Sequence, residues 1–280
     1  MGGRSSQRVG VVPGAHARAR ACCPEARFVR VDTASETRQM TSSKPAEHHS
    51  LLVTDFDGTM TRHDFYMLAA RSLLPPDMPD YWAQYRAGQL THFEALRAIF
   101  ASIRADLATV RAVVDRMKLD PDLPRALYQL RRSGWDVVVT SAGCDWYIRI
   151  LLAEAGVTLP VWSNPGRFEE GRGLLMELPR GSPYFSPSLG VDKAAVVREG
   201  ISSGRRVAFA GDGFPDADAA RLVSSDLRFA RGDLAHVLTK EGLAFHRFEH
   251  WSEIALVLCD PLIVRQNPHQ TAPTEPRERL

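Results

Sequence analysis

Two carboxylates that stand two positions apart, Asp55 and Asp57, are the residues of this sequence best suited to chemistry. They directly follow the apolar run 51–54 and precede Gly58 and Thr59, a pattern typical of a buried strand that ends in a loop. Carboxylates that leave the end of one strand can face a single pocket, where they can bind a hard divalent cation such as Mg²⁺. A strand cap with an Asx turn would explain the same letters without any chemistry.

Three further polar groups stand at places along the chain that suit the same site. Ser141 follows the apolar run 135–140, and the segment 211–216, Gly-Asp-Gly-x-x-Asp, follows the run 206–210. Lys193 begins a stretch with helical character. Alone, each has an ordinary interpretation, because a serine often caps a helix, a lysine is usually solvated, and Gly-Asp-Gly often forms a turn.

Taken together, these groups suit the transfer of a phosphoryl group. A carboxylate that attacks a phosphate dianion is opposed by like-charge repulsion, which a bound Mg²⁺ would neutralise while it orients the phosphoryl group. A lysine and a serine hydroxyl, with backbone N–H groups at the start of a helix, can bind the phosphate oxygens. One aspartate can then act as the nucleophile, and its neighbour can act as acid and base.

The elements that must position these groups alternate between strands and helices. Apolar runs at 51–54, 135–140 and 206–210 predict buried parallel strands, and helical stretches lie between them. This alternation predicts an α/β fold with a doubly wound, Rossmann-like parallel sheet, in which ligands bind beyond the carboxyl ends of the strands. The segment 160–190 is rich in Gly and Pro, so it predicts a loop-rich insertion with one hairpin near 174–178.

In their order and spacing, these clusters resemble motifs I to IV of the haloacid dehalogenase superfamily of phosphatases, over roughly residues 50–260. The letters that carry the resemblance are Asp55-Phe56-Asp57-Gly58-Thr59, Ser141, Lys193 and Gly211-Asp212-Gly213-x-x-Asp216. The resemblance implies that Asp55 is a nucleophile that becomes an aspartyl phosphate. It implies that Asp57 protonates the leaving oxygen and then activates water. It also implies that Mg²⁺ is held by the Asp55 carboxylate, the Asp57 backbone carbonyl and Asp212.

The resemblance also implies how the phosphoryl group is bound. Ser141 and Lys193 would contact its oxygens, together with the backbone N–H groups of Ala142 and Gly143. Asp216 would support the metal site through water or through the lysine. In this superfamily the second aspartate of motif I separates phosphatases from dehalogenases, so hydrolysis of a phosphate ester is favoured over carbon–halogen chemistry.

The helical stretch between the first two motifs resembles the C1 cap of the phosphoserine-phosphatase-like branch. We therefore expect a disordered extension over residues 1–48 and a flexible tail over 265–280. The core is expected in two pieces, 49–62 and 132–264, with the helical cap, 63–131, inserted after the first strand. Such a cap leaves room for a small phosphate ester rather than a macromolecule. The candidates for substrate contact are His63 and Asp64 at the start of the cap and Arg97 on a cap helix.

Within this branch, three stretches are similar to the phosphatases of methionine salvage, namely 141–147, the motif IV run that ends at 218–220, and 229–234. Ala142 stands where a second glycine is usual in that group. Phosphoserine phosphatase and phosphotransferase activity are alternatives that keep the same mechanism. A non-catalytic phosphate-binding protein is an alternative of another class, opposed by the complete set of acidic residues.

Composition excludes several other classes of function. The chain has 280 residues, a formal net charge of +2 and no apolar run of about 18 residues, which argues against nucleic-acid binding and a membrane span and leaves the oligomeric state open. Residues 1–40 hold seven Arg against three acids, which predicts an unstructured extension, with a true start at Met40 or a transit peptide as alternatives. The pattern of the four cysteines predicts neither a disulfide framework nor a zinc site, which favours the cytoplasm.

Overall fold

A computed structural model describes residues 50–260, so the predicted extension 1–48 and the predicted tail 265–280 lie outside the described residues. The described chain contains ten strands: β1 (Ser50–Thr54), β2 (Trp135–Cys144), β3 (Val161–Asn164), β4 (Gly166–Glu169), β5 (Gly173–Met176), β6 (Phe185–Ser186), β7 (Gly190–Val191), β8 (Arg206–Gly211), β9 (Arg228–Ala230) and β10 (His246–Arg247). Six of them form the main sheet, and the other four form two short antiparallel pairs, β4 with β5 and β6 with β7.

The main sheet has the strand order β10-β9-β8-β1-β2-β3, and every neighbouring pair in it is parallel. The chain builds outward in one direction from β1 through β2 to β3, and then returns to build outward in the other direction from β8. This confirms the predicted doubly wound parallel sheet, with its switch point between β1 and β8. The central strand β1 reads as an apolar run because both of its faces are covered, and Leu52 and Val53 are fully buried.

Ten α-helices accompany the sheet in the described residues: α1 (Phe65–Ser72), α2 (Tyr81–Arg86), α3 (His92–Ala101), α4 (Leu107–Asp115), α5 (Leu123–Arg132), α6 (Asp145–Glu154), α7 (Lys193–Ser202), α8 (Ala217–Leu222), α9 (Gly232–Lys240) and α10 (Ser252–Cys259). Local side-chain hydrogen bonds fix where several of these helices begin. At α3, Thr91 and Glu94 form a capping box, in which the side chain of each accepts from the backbone N–H of the other.

Helices α1 to α4 form the segment inserted between β1 and β2. Helix α3 contacts α2 and strand β5, so the hairpin β4–β5 packs against this segment. The next helix, α5, contacts β2 and α10 and therefore lies on the sheet. Helix α5 lies within the predicted cap range 63–131 but packs with the core. Helical periodicity alone does not show which surface a helix covers, so the sequence could not separate α5 from the cap helices.

The sheet also contains a strand that the sequence did not indicate. Segment 161–164 was predicted as part of a loop-rich insertion, and it is instead β3, which pairs in parallel with β2 at the edge of the sheet. The segment is four residues long and stands between Pro160 and Pro165, and such flanking prolines are typical of a loop. The predicted hairpin near 174–178 is present as β4–β5.

In the described range, no helix has the length and apolar character needed to cross a bilayer. A cytoplasmic location stays a prediction.

Candidate active site

The two acidic clusters meet at the switch point of the sheet. β1 pairs with β8 in parallel, so both strands end at the same edge, and the backbone N–H of Asp55 donates to the carbonyl of Ala210 at 2.9 Å. Asp55 and Asp57 therefore leave the sheet beside Asp212, although more than 150 residues separate them in the chain. This is the edge at which ligands bind in doubly wound folds.

Lys193 joins two of the carboxylates in a buried network. Its Nζ lies 2.7 Å from Oδ1 of Asp55 and 2.5 Å from Oδ1 of Asp216. The lysine is 4% exposed, so it is not the solvated surface lysine of the ordinary interpretation. It stands at the first turn of α7 because Asp192 caps that helix by accepting from the N–H of Ala195 at 2.9 Å.

The charges in this network shift one another's pKa values. Burial raises the pKa of Asp55 to about 7, the charge of Lys193 opposes that rise, and the charge of Asp216 adds to it. Burial alone would lower the pKa of Lys193, but the neighbouring carboxylates outweigh burial and raise it, so the lysine stays cationic. Burial also raises the pKa of Asp212 well above its ordinary value, and the charges of Asp55 and Asp216 raise it further. A cluster of this kind favours a bound cation, which would stabilise the ionised carboxylates.

The donor set fits a hard divalent cation. Asp55, Asp212 and Asp216 each place a carboxylate oxygen within 4.8 Å of the others, and such oxygens are the ligands that Mg²⁺ prefers. The hydroxyl of Thr59 donates to Oδ1 of Asp212 at 2.8 Å, which orients that carboxylate. Gly58 has φ +69°, and a β-carbon there would collide with the Asp212 carboxylate. Glycine therefore allows the first loop to approach the second cluster this closely.

Asp216 has little capacity left for a metal ion. One of its oxygens is occupied by Lys193, and the other accepts from the backbone N–H groups of Asp212 and Gly213 at 3.0 and 2.9 Å. It holds the 211–213 loop and the lysine in place, so Asp55 and Asp212 are better suited than Asp216 to bind a cation directly.

The side chain of Asp57 forms its hydrogen bonds with residues outside this acidic cluster. Its Oδ1 accepts from the backbone N–H of Phe65 at 3.2 Å, and its Oδ2 accepts from the hydroxyls of Tyr147 and Ser141 at 2.9 and 3.3 Å. Burial raises its pKa well above the ordinary value, with the charges of Asp64 and Asp55 adding to the rise. A carboxyl group with a raised pKa is suited to hold and deliver a proton. The predicted metal contact through its backbone carbonyl stays a prediction.

The loop after β2 is held from the side of β3. Asn164 Nδ2 donates to the carbonyl of Ala142 at 2.7 Å, and Ser163 Oγ donates to the carbonyl of Gly143 at 3.0 Å. On the other side, the N–H of Gly143 donates to the hydroxyl of Ser141 at 2.9 Å. The sequence predicts a loop at Ser163 and Asn164 and so gives no signal for these two contacts.

These groups line one cavity of about 390 Å³. Its lining contains every predicted catalytic, metal and phosphate-binding residue, together with a group from the inserted segment: Asp55, Asp57, Ser141, Ala142, Gly143, Lys193, Asp212 and Asp216, with Asp64, Tyr66, Met67, Trp82, His92, Leu96 and Phe100. The volume is that of a site for a small molecule.

Of the three predicted substrate-contact residues, the structure places one at the cavity. Asp64 lines it and caps α1 by accepting from the N–H of Met67 at 3.0 Å. His63 is exposed and lines a different cavity beside Lys118. Arg97 is exposed, and its guanidinium lies 5.7 Å from the centre of the Phe93 ring. The structure thus places His63 and Arg97 outside this cavity lining, and their contacts with substrate stay predictions.

Aromatic side chains of the inserted segment form part of the cavity lining. Trp82 packs against His92 with 5.1 Å between ring centres, and Tyr66 packs against Trp82 at 5.5 Å. Trp82 Nε1 and His92 Nδ1 are both buried without a hydrogen-bond partner. Burial lowers the pKa of His92 to about 4, and the charge of Lys193 acts in the same direction. His92 is therefore neutral at pH 7.

Comparison with known proteins gives an independent view of the chain. The model of the haloacid dehalogenase-like hydrolase family matches residues 52–221, which include all four clusters. Two bacterial relatives bear the name 2-hydroxy-3-keto-5-methylthiopentenyl-1-phosphate phosphatase. The protein from Brevibacillus brevis is 22% identical and aligns over 74% of this chain and 94% of its own length. The protein from Exiguobacterium sibiricum is 23% identical and aligns over 72% and 93%.

Solved structures of similar fold include two hydrolases. A HAD family hydrolase from Salmonella enterica serovar Typhi superposes with a TM-score of 0.56 at 18% identity, covering 76% of this chain and 72% of its own. A phosphoserine phosphatase, solved as an analogue of its phospho-aspartyl intermediate, superposes with a TM-score of 0.51 at 18% identity, covering 73% and 96%. At these identities the likeness extends to the fold.

Proposed function

The chain belongs to the haloacid dehalogenase-like hydrolases and is a phosphatase, and from that premise we propose that it hydrolyses a small phosphate monoester with Mg²⁺ through an aspartyl phosphate. The observation that carries this proposal is that one cavity contains two carboxylates, Asp55 and Asp57, with different hydrogen-bond and ion-pair partners. Asp55 is ion-paired with Lys193 beside Asp212, whereas Asp57 accepts only neutral donors. The first environment suits an ionised nucleophile, and the second suits a proton donor.

The reaction follows from these two environments. An oxygen of Asp55 attacks phosphorus while the bond to the leaving oxygen breaks, and Asp57 gives its proton to that oxygen. Asp57 then takes a proton from water as the water attacks the aspartyl phosphate and frees Asp55. Lys193 offers a hydrogen-bond donor to the phosphoryl oxygens, and the hydroxyl of Ser141 offers a second when it turns from Asp57 to the phosphate. Mg²⁺, held by Asp55 and Asp212, would supply positive charge that offsets the repulsion between carboxylate and phosphate.

The charges that line the cavity favour a leaving group without a second anion. Among the described residues of the lining, Lys193 is the one Lys or Arg, and its ammonium already pairs with Asp55 and Asp216. His92 is neutral, and Asp64 adds negative charge on the cap side. A carboxylate on the leaving group would meet no free cation, so its desolvation would go uncompensated.

Apolar side chains of the cap suit an uncharged carbon chain. Met67, Leu96 and Phe100 line the cavity beside Trp82. The compound in the name of the Brevibacillus brevis and Exiguobacterium sibiricum relatives carries hydroxy, keto and methylthio groups, which match polar and apolar contacts of this kind. We therefore place the substrate among phosphate esters of this type. Phosphoserine is the alternative, and it would need a partner for its carboxylate.

The catalytic proposal is tested with p-nitrophenyl phosphate, with and without Mg²⁺. We expect EDTA to abolish turnover, added Mg²⁺ to restore it, and Asp55→Asn to be inactive at every Mg²⁺ concentration because an amide neither attacks phosphorus nor carries the charge. Asp218→Asn is the matched control, since Asp218 is exposed on α8 and lies outside the cavity lining. Turnover by Asp55→Asn at the wild-type rate would refute the mechanism.

The substrate proposal is tested with esters that differ in one carboxylate. Glycerol 3-phosphate and 3-phosphoglycerate share a three-carbon chain, and we expect kcat/KM to be roughly tenfold or more higher for the first, because only the second leaves a charge unpaired. We also expect a phosphorylated keto-pentenyl ester to exceed phosphoserine. If phosphoserine is the best substrate of the set, the alternative replaces this assignment.

A further inference from the structure

Tyr147 is a fully buried residue of the cavity to which sequence analysis assigned no role. It is 1% exposed and stacks on Phe65, with 4.7 Å between ring centres and 30° between ring planes. The backbone N–H of the same Phe65 donates to Oδ1 of Asp57 at 3.2 Å. The Tyr147 hydroxyl therefore holds one oxygen of Asp57, and the backbone of the residue whose ring packs on Tyr147 holds the other.

The direction of the Tyr147 hydrogen bond follows from its partners. The backbone N–H of Cys144 lies 3.1 Å from the tyrosine oxygen, and an amide can only donate, so the hydroxyl accepts there. Its own hydrogen is then available for Oδ2 of Asp57 at 2.9 Å. The result is a chain of donors that runs from the backbone through the tyrosine to the carboxyl group.

The backbone on which this chain depends is itself fixed. The peptide between Gly143 and Cys144 donates to Tyr147 through its N–H, and its carbonyl accepts from Ser163 Oγ at 3.0 Å. A β-carbon at Gly143 would collide with the tyrosine hydroxyl and would lie 2.7 Å from Oδ2 of Asp57. Glycine at this position therefore leaves the space in which tyrosine and aspartate meet.

We propose that Tyr147 is a positioning residue that fixes the plane of the Asp57 carboxyl group for its proton transfers, an inference that rests on the proposed function. Hydrogen bonds to both oxygens restrict rotation of the group, so its proton faces the leaving oxygen when the phosphorus–oxygen bond breaks. Without the tyrosine, Oδ2 keeps only the longer contact to Ser141, at 3.3 Å. A displacement of about 1 Å in a catalytic group can cost on the order of 100-fold in rate.

The test compares leaving groups, because only a poor leaving group needs the proton from Asp57. p-Nitrophenolate departs readily without protonation, whereas the alkoxide of glycerol 3-phosphate does not. We expect Tyr147→Phe to lower kcat/KM for glycerol 3-phosphate by at least about tenfold more than for p-nitrophenyl phosphate. The larger part of the loss should fall on kcat rather than on KM, since Tyr147 acts on the transition state through Asp57.

The controls separate positioning from packing. Tyr184→Phe removes a hydroxyl from a tyrosine outside the cavity lining, and it should leave both esters unaffected. Tyr147→Phe keeps the ring that stacks on Phe65, and its thermal unfolding midpoint together with p-nitrophenyl phosphate turnover reports an assembled site. Equal losses for the two esters, or no loss, would overturn this inference alone. A wild-type protein that hydrolyses neither ester would overturn the proposed function and this inference with it.

Discussion

Acid should destabilise this protein through His92, the neutral imidazole in the wall of the cavity. Its pKa in the folded chain is about 4, against an ordinary value of 6.5, because burial disfavours the charged ring and Lys193 repels it. The uncharged rings of Trp82 and Tyr85 pack against it at 5.1 and 5.7 Å, and its Nδ1 has no partner. None of these neighbours offsets the positive charge that a bound proton would place on the ring.

The sign of the effect follows from where the proton binds first. The unfolded chain takes up the proton near pH 6.5 and the folded chain only near pH 4, so the free energy of unfolding is highest above pH 6.5 and falls as the pH drops towards 4. The full difference corresponds to at most about 3.5 kcal/mol, since one pKa unit is worth about 1.4 kcal/mol. Between pH 7 and pH 4.5 the loss from this group is about 2 kcal/mol.

The assay is urea unfolding of wild type and His92→Gln at pH 7 and pH 4.5, with linear extrapolation to water. Other titrating groups are shared by the two proteins, so their contributions cancel in the comparison. We expect the wild type to lose about 2 kcal/mol more than the variant over this range. His236→Gln, on the exposed side of α9, is the matched control.

Equal losses in wild type and His92→Gln would refute the reasoning. His92 would then accept a proton in the folded protein without penalty and could supply a cation to the cavity. In that case, the cavity would offer a cation to an anionic leaving group and would not be expected to reject one.

Two further predictions concern the loops and the cap. Gly58→Ala should raise the Mg²⁺ concentration needed for half-maximal activity, because the added β-carbon would displace the Asp212 carboxylate. Gly88→Ala is the control. Gly88 has a similar φ of +72°, but a β-carbon there would meet no atom within 4 Å, so the Mg²⁺ requirement should not change. A normal Mg²⁺ titration for Gly58→Ala would contradict the close approach of the two loops. Arg97→Ala should leave kcat and KM within about twofold of wild type, because this exposed residue lies outside the cavity lining. A marked rise in KM would show that Arg97 reaches the substrate.

Much of the fold and of the acidic part of the site could be predicted from the sequence alone. Buried parallel strands read as apolar runs, and Asp55, Ser141 and Asp212 each come at or just after such a run. Because the carboxyl ends of parallel strands share one edge, local order along the chain was enough to bring these residues together. Lys193 was assigned to the site through the resemblance to the superfamily motifs, while the local cap at Asp192 sets the start of its helix.

Only the tertiary structure decided which side chains complete the site. Tyr147 contacts Asp57 across 90 residues, and Asn164 contacts Ala142 from a strand that reads as a loop. On the cap, the sequence favoured Arg97, yet the cavity is lined by Trp82 and His92 from the same segment. The physical reason is that periodicity shows which residues of a helix share a face, whereas packing against distant elements decides what that face meets.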